Sequence, residues 1–331
     1  MVRRTAHRRP LALQRIDPRK WAEQRPTYRQ ADPALIAAAT ERATARPAGN
    51  WFVLAAGAEL RIERPVSRTI AGTEIVAWRD RDGTVTAGPG ACPHLGAPLA
   101  DGYVEDGRLR CRWHGLPVTR DGGPGWCPLP SFDDGVLVWV RLDRAGAEDP
   151  LPEPVLPLRP GPQRRIAAVS SVTGVCEPVD IVANRLDPWH GAWFHPYSFA
   201  RLTVVEAPPV TGATEETDRF VVDTTFRIGP RLGVPVRAEF FCPDRRTVVM
   251  RITDGEGQGS VVETHAVPHG PGPDGRARTT VTEAVIATSD RPGFGRATRC
   301  AALLRPAMRA GAARLWRDDI AFAERRYAVR R

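Results

Sequence analysis

The 331-residue sequence predicts an α+β fold, a small all-β unit followed by a larger antiparallel sheet packed with helices. Short apolar runs separated by Asp-Gly turns reach to about Leu142. A stretch from Asp149 to about Gln163 then carries six prolines, a composition that keeps a chain extended and semi-rigid. Beyond it, apolar and polar residues alternate in run after run until a long helical pattern closes the chain. These changes of texture divide the chain into a basic extension at 1–48, a β unit at 49–142, a Pro-rich linker at 143–164 and a second unit at 165–331.

Each element has a local reason. The extension holds one helix-like run, Pro33 to Arg46. In the first unit Trp51–Ala55, Glu74–Trp78 and Val136–Val140 read as strands, with turns at Asp82-Gly83, Asp106-Gly107, Asp121-Gly122-Gly123 and Asp134-Gly135. The second unit opens with a strand at Ile166–Val175 and a helix-like segment from about Val179 to Phe194. Six alternating runs follow, Leu202–Glu206, Arg219–Ile228, Val234–Phe241, Thr247–Thr253, Ser260–Val267 and Arg278–Thr288. Gly255-Glu-Gly257-Gln-Gly259 is a hairpin turn between two of them rather than a phosphate loop. Inward-facing sheet residues are expected at Val221, Val234, Phe240, Val248, Met250 and Val262. The last helix, Arg296 to Val329, is expected to bury Leu303, Leu304, Met308, Leu315, Trp316, Ile320 and Phe322.

Composition removes several function classes. Hydrophobic content is 42% and charged content 26%, as in soluble globular proteins. No apolar run approaches the length of a membrane span, and the basic N-terminus lacks the apolar core of a secretory or twin-arginine signal. A cytoplasmic location is the expectation. The net charge of +9 is almost entirely arginine, spread along the chain among acids, with Lys20 the single lysine. That pattern describes a solvated basic surface, without a nucleic-acid motif, and favours an acidic electron donor as partner. Six cysteines at irregular spacing do not make a disulfide framework, so cysteine beside histidine points to metal.

Two constellations carry that chemistry. Cys92-Pro93-His94-Leu95-Gly96 contains C-x-H, and Cys111-Arg112-Trp113-His114-Gly115 contains C-x-x-H. Six cysteines and seven histidines in the chain make both pairs, as neighbours, a rare coincidence. Each pair sits in a turn-rich loop closed by glycine, which lets backbone approach a bound cluster. A zinc site with the same four ligands is the rival, although zinc motifs usually pair Cys with Cys and His with His. The second constellation is Asn184-Arg-Leu-Asp187-Pro-Trp-His190-Gly-Ala-Trp-Phe-His195. On a helix Asn184, Asp187 and His190 fall near one face, with Pro188 distorting the turn. Two imidazoles and one carboxylate, with positions left open, suit non-haem Fe(II). A surface helix with incidental histidines is the bland alternative. The third ligand must come from elsewhere, and Asp318 or Asp319 on the last helix are the candidates, with Asp319 preferred.

The two Cys/His boxes resemble those of Rieske domains, and N-x-x-D-x-x-H-x4-H resembles the pattern of Rieske non-haem iron oxygenases. The resemblance runs from about Trp51 to the C-terminus and is to the type built from α subunits alone. It implies an all-β [2Fe–2S] domain, with Cys92 and Cys111 on one iron and His94 and His114 on the other, which raises the potential. It also implies a helix-grip-like catalytic domain with Fe(II) on His190, His195 and Asp319. Ala97 and Trp113 stand where respiratory Rieske proteins carry an extra disulfide, which favours the oxygenase branch. Leu116 departs from the tryptophan common there, and Glu324 after Asp319 resembles the family's acidic pair. By the same resemblance the chain is a homotrimer in which Asp187 bridges a cluster histidine and an iron-bound histidine, with Asn184 beside it. A ferredoxin or ferredoxin reductase supplies electrons, and O2 is used to hydroxylate, demethylate or desaturate a small hydrophobic substrate, a ring compound or terpenoid. The rival is a Rieske electron carrier fused to a binding domain without mononuclear iron. His7, His265, His269 and the other four cysteines are read as structural.

Overall fold

The computed structural model of the chain describes residues 12–330, so His7 and the first arginines lie outside the described residues. In chain order the strands of the first half are β1 (Gln14–Arg15), β2 (Trp51–Ala56), β3 (Val66–Ile70), β4 (Thr73–Arg79), β5 (Val85–Pro89), β6 (Tyr103–Glu105), β7 (Arg108–Arg110), β8 (Pro117–Val118), β9 (Ser131–Asp133) and β10 (Leu137–Arg141). Between β1 and β2 lies α1 (Pro33–Ala45), started by the Asp32 carboxylate accepting the Ala34 N–H at 2.9 Å. Strands β2 to β10 form three small antiparallel sheets, β2-β10-β9, β3-β4-β5 and β6-β7-β8.

A short helix α2 (Asp143–Gly146) leads into the Pro-rich stretch. After it come β11 (Ile166–Gly174), α3 (Pro178–Arg185), α4 (Gly191–Phe194), β12 (Phe199–Glu206), β13 (Phe220–Arg227), β14 (Leu232–Asp244), β15 (Thr247–Gly255), β16 (Val261–Pro271), β17 (Ala277–Ala287), α5 (Phe294–Arg299) and α6 (Ala301–Val329). The large sheet runs in the order β11-β17-β16-β15-β14-β13-β12, antiparallel throughout, and β1 adds beside β14. The α+β class with an all-β first half and a helix-covered antiparallel sheet is therefore the observed architecture, and Gly255–Gly259 is the β15–β16 hairpin turn.

Three sequence expectations need correction. The helix expected from Val179 to Phe194 is broken. α3 stops at Arg185, Asp187 is extended, and a 3-10 turn at Pro188–His190 precedes α4. Pro188 lacks the N–H that a continuous helix would use. The last helix is also interrupted, at Cys300, and its buried face matches the expectation only in part. Trp316 and Ile320 are buried as expected, beside Ala312, Asp319, Ala323 and Tyr327, whereas Leu303, 79% exposed, and Leu304 face solvent. The helix lies close on β11, where a Cβ on Gly174 would meet Ile320 at 2.8 Å, so alanine and glycine set the contact. Finally, Val221 points to the opposite face of β13 from the cavity described below.

Residues 12–46 pack onto the second half. Ala39 and Ala43 of α1 join Val182, Leu186, Trp189 and Phe220 in one cluster. Trp21 stacks on Trp193 with centroids 6.4 Å apart.

The two halves are joined by a buried ionic network. Arg159, from the Pro-rich stretch, contacts Asp134 at 2.7 Å and Glu263 of β16 at 2.6 Å. Glu263 also meets His265 Nε2 at 3.1 Å, and the His265 ring stands edge-on to Trp139. Burial opposes ionisation of both carboxyls. The Arg159 guanidinium, and for Glu263 first the His265 hydrogen bond, outweigh it and hold both below their ordinary values. This contribution is complete above the ordinary carboxylate range and is lost as pH falls through the lowered values. R159M leaves two buried carboxylates uncompensated and is expected to cost about 3–5 kcal/mol of stability. Urea unfolding measures this. Adding D134N and E263Q to R159M should recover much of the loss.

Candidate metal centres

The two Cys/His boxes are built alike. The first lies between β5 and β6, the second between β7 and β8. In the first, Gly96 N–H donates to Cys92 O and Cys92 N–H to Ala97 O, both at 2.8 Å. In the second, Gly115 N–H donates to Cys111 O and Cys111 N–H to Leu116 O, both at 2.9 Å. Gly96 and Gly115 have φ of +75° and +72°, a region that L side chains enter at a cost. Both thiols are buried and unbridged, over a floor of Trp78, Leu99, Leu109 and Trp126. Trp126 donates to Pro89 O at 2.8 Å and lies so close to Gly88 that a Cβ there would clash. The imidazoles of His94 and His114 project outward with ring centroids 4.9 Å apart. Leu95 and Trp113 beside them are 63% and 57% exposed. Two buried sulfurs beneath two exposed imidazoles, on loops of one geometry, fit a cluster with a thiolate side and an imidazole side.

The second constellation converges at the break after α3. His195 Nε2 lies 2.9 Å and His190 Nε2 lies 3.3 Å from the same oxygen of Asp319. One donor atom from each residue falls within 4.8 Å of the others. Asp319 is 1% exposed. Burial opposes its ionisation, but the two imidazoles outweigh that and hold its carboxyl well below the ordinary range. Burial likewise opposes a charge on His190, yet Asp187 and Asp319 raise its pKa to about 9. The site thus favours positive charge. Its donor separations of about 3 Å match ligands about 2.1 Å from one shared ion. Three buried polar atoms around it accept or donate no hydrogen bond within the protein, Asn184 Oδ1, Asp187 Oδ1 and His190 Nδ1. The donor set, two imidazoles and a carboxylate, fits non-haem iron.

The other sequence candidates fall around this centre. Asn184 Nδ2 donates to Asp319 at 3.2 Å, which fixes the carboxylate. Asp187 Oδ2 lies 3.7 Å from His190 Nδ1. Asp318 turns outward and accepts the Tyr197 hydroxyl at 2.6 Å, so the structure brings Asp319 to the imidazoles and leaves Asp318 behind them. Glu324 accepts the Val175 N–H at 2.8 Å and ties α6 to the sheet, away from the centre. Tyr197 itself, reaching His195 Nδ1 at 3.3 Å, was missed in the sequence.

Beside the centre is a cavity of about 370 Å³, bounded by His190, His195, Phe199, Phe226, Phe240, Met250, Ile252 and Val262. Of the six expected wall residues, Phe240, Met250 and Val262 reach it. Val234 packs behind the wall residues Met250 and Ile252 without reaching the cavity, and Val248 packs against the cluster of α1 and α3.

Comparison with known proteins agrees with both halves. The family described as Rieske [2Fe-2S] domain matches residues 50–132. The family described as Domain of unknown function (DUF5914) matches residues 145–331. The oxygenase component of dicamba O-demethylase from Stenotrophomonas maltophilia is 31% identical over 160 residues, 44% of this chain and 46% of that protein. A vanillate O-demethylase oxygenase subunit from a Pseudomonas species is 40% identical over 76 residues, 23% of this chain and 21% of that protein. The chain thus spans less than half the length of these curated relatives. Among solved structures, dicamba monooxygenase bound to dicamba superposes with a TM-score of 0.62 at 20% identity, covering 86% and 89% of the two chains. The terminal oxygenase of carbazole 1,9a-dioxygenase from Novosphingobium sp. KA1 gives 0.55 at 15% identity, covering 91% and 89%. These likenesses establish the shared fold.

The two aspartates separate experimentally. D319A is expected to lower bound metal by one ion per chain while the visible absorption of the cluster persists. D318N should keep both. Metal analysis beside absorbance reads the difference.

Proposed function

The chain belongs to the Rieske non-haem iron oxygenase α-subunit family and to the family described as DUF5914, and from that premise we propose that it oxygenates a small hydrophobic substrate using O2 and electrons from a ferredoxin or ferredoxin reductase. The observation that carries this reading is the meeting of His190, His195 and Asp319 at the wall of an apolar cavity. Bound there, Fe(II) supplies the reaction with O2 that organic side chains cannot perform. An electron carrier fused to a binding domain would have no use for these three converging donors.

The chain's own residues have distinct parts. Cys92 and Cys111 hold the cluster from below, and His94 and His114 present its other side to solvent. The exposed Leu95 and Trp113 form an apolar rim where an electron donor can dock. Asp319 orients both imidazoles and is itself held by Asn184. Asp187 supports His190 with one oxygen, and its unpartnered Oδ1 is left for an imidazole of a neighbouring subunit in a trimer. The cavity excludes water and accommodates a ring compound or terpenoid, whose hydroxylation, demethylation or desaturation are the candidate outcomes. Residues 49–142 form the electron-storing domain and 165–331 the oxygenating domain, joined by 143–164, with 1–48 as an extension. No helix among the described residues is long and apolar enough to cross a membrane. The four cysteines outside the cluster boxes are unbridged, which accords with a reducing cytoplasm.

Asp187 is the sharpest test. D187N should retain both metals yet lose coupled turnover by at least about 10–100-fold, measured as reductant-driven O2 consumption. Full coupled activity in D187N would remove the bridge from this scheme. The holoprotein should give a Rieske-type EPR signal on reduction and contain one iron beyond those of the cluster.

A further inference from the structure

We propose that the cavity takes substrates with an anionic oxygen head group, a carboxylate or equivalent acid, on an apolar ring body, and that Arg185 grips that head. The inference rests on reading this cavity as the substrate site and names the class of molecule it selects.

The cavity wall is apolar except at a few points, of which Arg185 and Glu283 carry charge away from the metal centre. Arg185 is the last residue of α3 and lies over the rings of Phe240 at 5.7 Å and Trp316 at 5.9 Å. Its Nε is buried and has no hydrogen-bond partner. Two other interior arginines are met by carboxylates. Arg159 sits between Asp134 and Glu263, and Arg246 contacts Glu148 at 3.3 Å. No such ion pair is found for Arg185 among the described residues. A guanidinium stays charged and presents five donors, so leaving it unmatched at a buried wall is costly unless a ligand supplies the acceptors.

Glu283 does not fill that role. Its Oε2 is already taken by the Trp316 indole N–H at 2.6 Å and the Thr264 hydroxyl at 3.4 Å. Burial pushes its carboxyl above the ordinary range, against the pull of Arg185. Arg185 precedes Asp187 by two residues and His190 by five, and all three line the same cavity. A molecule anchored at Arg185 therefore lays its ring body along Phe240, Met250 and Ile252, beside His190 and His195.

The test is calorimetric titration of the purified holoprotein with benzoate and naphthalene-2-carboxylate, against their carboxamides and the parent hydrocarbons. The expected result is at least about tenfold tighter binding of one acid than of its amide. R185Q should abolish that preference with cluster absorbance unchanged. R185K, which keeps the charge but not the planar fork, should retain part of it. Equal affinity for acid and amide, an undiminished preference in R185Q, or no binding by either acid would each overturn the proposal. Iron content of the same samples reads the oxygenase function separately. Acid preference without mononuclear iron would sink that function and leave the anion grip standing, whereas iron without preference does the reverse.

Discussion

Everything in the second half is arranged around one carboxylate, Asp319, that folding takes almost wholly out of water. An isolated buried carboxylate is too costly to keep ionised, so it must meet cations or donors from other elements. Here the donors are Asn184 near the end of α3 and His190 and His195 in the bent segment that follows it. The requirement therefore fixes how α6 lies against α3. Other contacts hold the same register. Trp316 donates to Glu283 on the sheet, Glu324 receives the Val175 N–H, and Arg326 reaches Asp180 on α3 at 2.8 Å. These lie within about one turn before and two turns after Asp319 on α6, so the carboxylate cannot rotate away without breaking several buried contacts.

The break at Pro188 separates α3, which carries Asn184, from the short turn and α4 that carry the imidazoles. His190 and His195 stand at the two ends of α4, and both reach the same oxygen of Asp319 on α6. Pro188, which weakens a helix, is thus a positive feature at this point. The cost falls on the backbone groups near the break, and several side-chain atoms there are left without protein partners. Such unmatched polar atoms are common where a fold keeps room for something it binds.

Much of this was legible in the sequence, for reasons that differ by element. The strands were legible because alternation follows directly from one buried face. The Cys/His boxes were legible because thiolate and imidazole at short spacing are rare together. The histidines and Asp319 could be named, but the choice of Asp319 over Asp318 turns on which side of α6 meets α3, a tertiary fact. On α6, Trp316 and Ile320 were legible as core, but Ala312 and Ala323 were not, because alanine carries little hydrophobic signal while close approach to β11 selects for small size. Tyr197 was invisible, since nothing local marks a tyrosine that will meet His195. Glu283 did carry a signal, a lone acid among Val281, Ala284, Val285 and Ile286. A charge in the apolar course of a central strand is uncommon unless something uses it.

The two centres make opposite demands on solvent, and the fold separates them accordingly. Electron entry requires that a redox group lie near the surface where a partner can approach, and His94 and His114 are exposed beside an apolar rim. Chemistry with O2 at an organic substrate requires that water be excluded, and His195 and Asp319 are almost fully buried next to an apolar cavity. A single sheet could not offer both settings, because the interior of one unit is either covered or open. Two units joined by Arg159 can. The guanidinium is anchored on both sides, to Asp134 in one unit and Glu263 in the other, with His265 and Trp139 closing the seam. A hydrophobic seam would tolerate sliding, since apolar contact is non-directional. A buried bidentate pair has one geometry and resists it. The relative placement of the two units within one chain is therefore held by directional bonds rather than by area alone.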